Sequence, residues 1–244
     1  MPSAAVKLNA TANILQHLPI MIYIAAFQKR FPQNTEALWM DVSSLESQEG
    51  FYIIIDESTL NKSHAQAMKL TGIYWSGNHH NMVQGISLVI LVWANGLVTC
   101  PIHFRIYHKD GAYKTKNIYF TDMLNEAKNR QFYPERVIFD SWYGSVDNLK
   151  LIRRLVWHFL TRLKKNRKVN YEYTVNLTIE KQIIPVDGLE VHLKNYGRVR
   201  VFHRDDNGNG ILFWAMDILL VDENTREILA ENANKIEGYH RNMR

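Results

Sequence analysis

Two aspartates each follow a short segment of the sequence that is predicted to be a buried strand, and a third acid lies near the C-terminus. Asp56 comes directly after residues 51–55, Asp140 directly after residues 136–139, and Glu237 lies in a segment of helical character. Functional sites in open α/β sheets are built where strands end. Three carboxylates brought together there would repel one another unless a divalent cation neutralised them. Ligation by oxygen alone suits Mg²⁺ or Mn²⁺ rather than Zn²⁺.

The chemistry that such acids support is displacement at phosphorus. Two divalent ions about 4 Å apart form the usual clamp: one activates the attacking water or 3′-hydroxyl, and the other stabilises the leaving oxygen. The pattern alone leaves a second interpretation open, because an aspartate that follows a strand is also common at turns.

The elements that must position these acids predict an α/β fold. Strands are predicted over 51–55, 81–93, 97–107, 136–139 and 157–163, and helices over 116–130, over 146–155 and from Asp222 onward. Hydrophobic and polar residues alternate over 168–216, which predicts several short strands. Residues 1–50 are expected to form a short helical N-terminal segment.

Composition excludes several classes of protein. The chain has 244 residues, of which 46% are hydrophobic and 22% are charged, as in globular proteins. The single cysteine, Cys100, excludes an internal disulfide and favours a reducing cytosol. The apolar run at residues 18–27 is too short to cross a bilayer, which needs about 20 residues, so no membrane partner is expected. The net charge of +5 is compatible with a polyanionic partner.

A basic run follows the predicted strand at 157–163 and is the best candidate for contact with a DNA backbone. Its members are Arg162, Lys164, Lys165, Arg167 and Lys168. The alternative is an ordinary solvated loop. Trp142, which lies close after Asp140, either stacks on an unpaired base or packs beneath the sheet.

Four parts of the sequence resemble the motifs of DDE transposases from bacterial insertion sequences, in the IS-four-like superfamily. Residues 51–58 (FYIIIDES) resemble the first acidic motif, and residues 74–80 with residues 83–86 resemble the strand pair that follows it. Residues 136–143 (RVIFDSWY) resemble the second acidic motif. Residues 235–241 (KIEGYHR) resemble the third, with its glutamate on a helix. Their order and spacing agree with the family from about residue 50 onward.

The resemblance implies an RNase H-like mixed sheet flanked by helices, within a catalytic domain of residues 51–244. A β insertion at 167–216 would separate the second aspartate from the glutamate helix. Asp56, Asp140 and Glu237 would be the catalytic residues and would hold two Mg²⁺ or Mn²⁺ ions. The implied activity is cleavage of DNA at transposon ends and strand transfer to target DNA, usually by a homodimer. The implied location is the bacterial cytoplasm, in association with the nucleoid.

The C-terminal segment contains candidate DNA-binding residues in addition to its glutamate. Glu237, Arg241 and Arg244 fall at i, i+4 and i+7, so they share one face of the predicted helix. A carboxylate toward the metals and cations toward a DNA phosphate can therefore lie together, and His240 is a further candidate. The alternative is a solvated basic helix end that suits the helix dipole. Many relatives carry lysine at the position of Arg244, and arginine can replace lysine as a phosphate contact.

Two other functions are compatible with the same motifs. The chain, which ends seven residues after Glu237, could be a truncated and catalytically inactive transposase remnant that still binds DNA. It could also be another RNase H-like nuclease that acts on nucleic acid without strand transfer.

Overall fold

The structure is a computed structural model, and it describes residues 39–40, 51–64, 70–76, 80–95, 99–108, 114–171, 175–185, 187–205 and 210–218. These residues contain eleven strands and two α-helices, which confirms the predicted α/β class. Trp39 and Met40 are helical, while the rest of the predicted N-terminal segment and the whole predicted C-terminal helix lie outside the described residues. The described chain forms two compact units that divide between Tyr133 and Pro134.

The first unit is a small antiparallel sheet covered by one helix. Its elements are β1 (Tyr52–Asn61), β2 (Gly72–Ser76), β3 (Asn81–Ala94), β4 (Thr99–Tyr107) and α1 (Lys116–Asn129). The long strand β3 is central, because β1 pairs with one of its edges while β2 and β4 share the other. Helix α1 packs on β3 and β4, and its apolar residues Phe120, Met123, Leu124 and Ala127 are buried.

Two strand predictions in this unit need correction. The apolar pattern placed the end of the first strand at Asp56, but β1 continues to Asn61 because β3 supplies backbone partners along its whole length. Hydrophobicity stops at Asp56 although the ladder of hydrogen bonds does not. The residue pattern also gave no separate strand at β2, whose side chains Ile73 and Trp75 are exposed.

The second unit is a seven-stranded mixed sheet. Its elements are β5 (Arg136–Phe139), α2 (Val146–Arg154), β6 (Phe159–Leu163), β7 (Lys168–Tyr171), β8 (Val175–Thr178), a short 3₁₀ helix (Ile179–Lys181), β9 (Leu189–Leu193), β10 (Gly197–Asp205) and β11 (Ile211–Asp217). The strand order is β5-β6-β11-β10-β9-β7-β8. Only the pair of β5 and β6 is parallel among these described strands, and α2 is the crossover between them.

The predictions for the second unit agree well with the observed elements. Strand β5 has the predicted bounds, and five strands occupy residues 168–217, where alternation predicted several short ones. The RNase H-like organisation, and the role of these strands as an insertion before a helix that carries Glu237, stay predictions.

Candidate active site

Asp140 lies at the first position after β5 and is held in a tight turn. Its Oδ1 accepts the backbone N–H of Trp142 at 2.9 Å, which orients the carboxylate, and the side chain is half-buried. The carbonyl oxygen of Asp140 accepts the Thr161 hydroxyl at 3.2 Å from the neighbouring strand β6. Thr161 is fully buried, so this contact fixes the turn to the sheet. Hydrogen bonds therefore hold both the side chain and the backbone carbonyl of Asp140 in place.

The turn continues directly into helix α2 through polar contacts that sequence reasoning did not identify. The Ser145 hydroxyl accepts the backbone N–H of Asn148 at 3.2 Å and caps the helix. The buried side-chain amide of Asn148 donates to the carbonyl of Tyr143 at 2.8 Å, and the Tyr143 ring is buried. The sequence feature that could have predicted this cap is a serine three residues before an asparagine, just ahead of an apolar run. These residues position the loop that carries Asp140.

Asp56 lies within β1, opposite Ile90 of β3, and its side chain is half-buried. The adjacent acid, Glu57, is engaged differently. The Lys116 ammonium forms an ion pair with Glu57 Oε1, and the Ser87 hydroxyl donates to that oxygen at 3.0 Å. Glu57 therefore serves as a structural partner of α1, and the assignment of Asp56 to a metal stays a prediction.

The third predicted acid, Glu237, lies outside the described residues, as do His240, Arg241 and Arg244. Asp56 belongs to the first unit and Asp140 to the second. Among the residues that the structure describes, no group of three or more His, Cys, Asp or Glu side chains is arranged to hold a metal ion. The predicted three-acid metal site therefore stays a prediction.

The predicted basic run borders a cavity of about 460 Å³ in the second unit. Arg162, Lys164, Arg167 and Lys168 line this cavity, whereas the exposed Lys165 does not. Trp142 also lines the cavity. Its side chain is 58% exposed, so it does not pack beneath the sheet, and the Lys164 ammonium lies 5.5 Å from the centre of its ring.

The turn between β9 and β10 completes the cavity with Lys194 and Asn195, which sequence reasoning missed. Strand β9 pairs with β7 at Leu193 opposite Val169, and this non-local pairing brings the turn beside the basic run. The half-buried Arg167 contributes a second feature. Its Nη2 atom is buried and has no hydrogen-bond partner among the described residues, and burial lowers the pKa of its guanidinium.

A separate polar cluster lies at the end of β11. The buried Asp217 accepts the Tyr196 hydroxyl at 2.6 Å, and Arg153 stacks on the Tyr196 ring at 3.8 Å. Burial raises the pKa of Asp217 although Tyr196 and Arg153 oppose the shift. Burial likewise raises the pKa of Tyr196 and lowers that of His158, whose Nδ1 lies 4.0 Å from Asp217.

Comparison with protein families identifies the chain. The family described as the transposase DDE domain matches residues 52–223, which is well over half of the sequence. The chain therefore belongs to the DDE transposase domain family. The matched span includes Asp56 and Asp140 and ends before Glu237.

Similar solved structures include a piggyBac transposase synaptic complex with hairpin DNA, at 10% sequence identity and a TM-score of 0.48. That alignment covers 83% of this chain and 42% of the piggyBac chain, so the chain spans less than half of that protein. Endonuclease V from Bacillus subtilis is 9% identical with a TM-score of 0.34, and the alignment covers 73% of each chain. The NurA nuclease from Sulfolobus solfataricus is 10% identical with a TM-score of 0.31, covering 86% of this chain and 83% of that chain. A search of curated proteins gives no match.

In the described part of the chain, neither helix combines the length and the apolar character that crossing a bilayer requires.

Proposed function

We propose that this chain is the catalytic domain of a DNA transposase, which cleaves DNA at the ends of a mobile element and joins those ends to target DNA. The family match over residues 52–223 carries the proposal. It contains two of the three predicted acids, one within a strand and one directly after a strand. Glu237, on the predicted C-terminal helix, would be the third.

The donor chemistry of these acids fits a divalent cation. Asp56, Asp140 and Glu237 offer only carboxylate oxygens, which are the ligands that Mg²⁺ and Mn²⁺ prefer. When bound, two such ions would supply Lewis-acid activation of the nucleophile and would stabilise the leaving oxygen. The Trp142 N–H and the Thr161 hydroxyl would keep Asp140 in a fixed orientation, which lowers the cost of organising the site.

The proposed cleavage step is a hydrolysis. The water oxygen bonds to phosphorus, the bond from phosphorus to the 3′ oxygen breaks, and the displaced oxygen takes a proton. The element therefore gains a 3′-hydroxyl, and the flanking strand keeps a 5′-phosphate. In strand transfer this 3′-hydroxyl attacks a target phosphodiester and displaces a target 3′ oxygen. Both steps proceed without a covalent enzyme intermediate.

The basic run would hold the DNA backbone during these steps. Lys164 and Lys168 are exposed and Arg162 and Arg167 are half-buried, all around one cavity that begins at the residue after Asp140. Cations placed there attract phosphates and give binding that weakens as salt rises. Lys165 would contact the same backbone from outside the cavity. We further propose that the active form is a homodimer, because two element ends must be processed together.

The test is nicking of a supercoiled plasmid that carries the element, with Mg²⁺ or Mn²⁺ present. Asp140→Asn should abolish nicking while DNA binding is retained, because the amide lacks the charge that holds a cation. Asp147→Asn is the matched control: this aspartate is exposed on α2 and should be dispensable. Retained nicking by Asp140→Asn would refute the assignment of this acid.

Two further outcomes separate the rival functions. DNA binding with no metal-dependent nicking by the wild-type chain would identify a DNA-binding protein without catalytic activity. Nicking without joining, in an assay that supplies precleaved ends with a free 3′-hydroxyl and a target plasmid, would identify a nuclease rather than a transposase.

A further inference from the structure

The cavity of about 460 Å³ in the second unit has the size of a site for a small molecule or a single nucleotide. It is formed by three segments that are distant in sequence: the loop after β5, the turn that joins β6 to β7, and the turn that joins β9 to β10. Because these segments converge on one cavity, a single nucleotide placed there would contact cations from two of them, the turn that joins β6 to β7 and the turn that joins β9 to β10.

The charge of the cavity is strongly positive. Five of its described lining residues are cationic, namely Arg162, Lys164, Arg167, Lys168 and Lys194, and none of the described lining residues is acidic. Arg167 is half-buried at the cavity, so its charge acts on an anion there although its Nη2 atom is itself buried. An anion of more than one negative charge fits this arrangement better than the single charge of an internal phosphodiester.

An aromatic side chain lies at the same cavity. Trp142 is exposed, and its ring offers a stacking surface for a base. The N-terminus of α2, marked by Ser145 and Val146, also lines the cavity and adds a favourable dipole for an anion. A base and a phosphate can therefore be recognised together.

We propose that this cavity binds the 5′-phosphorylated terminal nucleotide of a DNA strand. A terminal phosphate carries up to two negative charges near neutral pH, whereas a phosphate within a strand carries one. Arg167, Lys168 and Lys194 would hold the terminal phosphate, and Trp142 would stack on its base. This inference rests on the proposed function, because the hydrolysis proposed above leaves a 5′-phosphate on the flanking strand, beside Asp140.

The experiment compares two short single-stranded oligonucleotides of one sequence, one with a 5′-phosphate and one with a 5′-hydroxyl, by fluorescence anisotropy with the dye at the 3′ end. The wild-type chain should bind the 5′-phosphate form about tenfold more tightly, which is the scale of one added charge-assisted hydrogen bond. Lys194→Gln and Arg167→Gln should each reduce that preference to about twofold or less. Lys194 is exposed, so its substitution tests the cavity without disturbing packing.

The controls separate the parts of the inference. Lys150→Gln removes an exposed cation from α2 outside the cavity and should leave the preference unchanged. Trp142→Ala should weaken binding of both oligonucleotides by a similar factor, because stacking does not depend on the terminal phosphate. A 5′-phosphorylated mononucleotide should compete only at a higher concentration than the oligonucleotide, because the oligonucleotide's following phosphates also meet the basic run, and competition as strong as that of the oligonucleotide would assign the cavity to free nucleotides instead of DNA ends.

Failure of this inference can be distinguished from failure of the proposed function. Equal binding of the two oligonucleotides, with metal-dependent nicking intact, would overturn the terminal-phosphate site alone. Binding of neither oligonucleotide, together with no nicking, would overturn both. A preference that survives Lys194→Gln and Arg167→Gln would show that another part of the chain recognises the terminal phosphate.

Discussion

His103 on β4 is predicted to make the first unit sensitive to acid. Its side chain is fully buried, and both ring nitrogens are engaged. Nδ1 accepts the backbone N–H of Phe104 at 2.9 Å, and Nε2 donates to Glu126 Oε2 at 2.5 Å. The first contact requires an unprotonated Nδ1, so protonation of the ring would break it. The native state therefore favours the neutral imidazole.

The magnitude follows from the pKa of this imidazole. Burial, reinforced by the positive charges of Arg105 and Arg130, lowers the pKa of His103 from 6.5 to about 3, although the Glu126 carboxylate favours the charged form. Because the folded pKa is depressed, the unfolded chain takes up a proton first as the pH falls below 6.5. Between about pH 7.5 and about pH 5 this difference removes about 2 kcal/mol from the free energy of unfolding. The loss grows further toward pH 3.

The assay is urea denaturation of the wild type and of His103→Gln across this pH range. Glutamine donates to Glu126 and accepts from Phe104 but does not titrate, so it keeps the contacts and removes the proton uptake. The variant should be less stable at neutral pH, because glutamine keeps the two hydrogen bonds but lacks the ring that contacts Trp39. Its free energy of unfolding should fall by about 2 kcal/mol less than that of the wild type over the interval. Parallel pH profiles for the two proteins would refute the assignment of a buried neutral histidine.

Three substitutions test local structure through thermal or urea denaturation. Val156 lies two residues after the end of α2 with φ of 61°, a conformation that a β-branched residue adopts with strain, so Val156→Gly should stabilise the protein by about 1 kcal/mol, and destabilisation would contradict this explanation. Gly85→Ala should destabilise by about 3 kcal/mol or more, because a Cβ would lie 2.2 Å from the backbone oxygen of Leu60, and a neutral effect would show that β1 and β3 separate easily. Tyr196→Phe should lower the free energy of unfolding by about 1–3 kcal/mol at neutral pH, because it removes the donor to the buried Asp217. The loss should be smaller in acid, where Asp217 takes up a proton, and an equal loss at both pH values would contradict its raised pKa.

The sequence predicted those strands whose hydrophobic residues are themselves adjacent in the chain. Strand β5 is a buried segment between Pro134 and Asp140 whose last three residues are apolar, and its predicted bounds agree with the structure. The polar half of β1 escaped prediction because its backbone partners come from β3, some thirty residues away. Hydrophobicity reports the burial of a side chain, whereas a strand continues as long as a neighbour supplies hydrogen bonds.

The residues of the candidate site also fall into two groups, those that the sequence identified and those that only the fold brings together. The cations of the basic run are adjacent in sequence, and the structure places four of them around one cavity. Asp140 follows a short predicted strand, and its role as a metal ligand stays a prediction. Lys194 could not be predicted, since only the pairing of β9 with β7 brings it to the cavity. The contact between Thr161 and Asp140 could not be predicted either. A threonine in a buried strand resembles any other core position in the sequence, and the partner of its hydroxyl is a backbone carbonyl.

The direction of the strands in the second unit separates the proposed catalytic acid, Asp140, from a structural acid, Asp217. Asp140 follows the C-terminal end of β5, and β6 runs parallel to β5. Strand β11 runs antiparallel to β6, with Met216 opposite Leu160, so Asp217 lies at the N-terminal edge of the parallel pair and Asp140 at the other. Asp217 is the acid with the raised pKa, yet burial and its contact with Tyr196 explain that shift without a ligand. A perturbed pKa therefore does not by itself indicate a ligand site in this unit. Under the proposed function the metal-binding acid is the half-buried Asp140, which directly precedes the first residue of the cationic cavity.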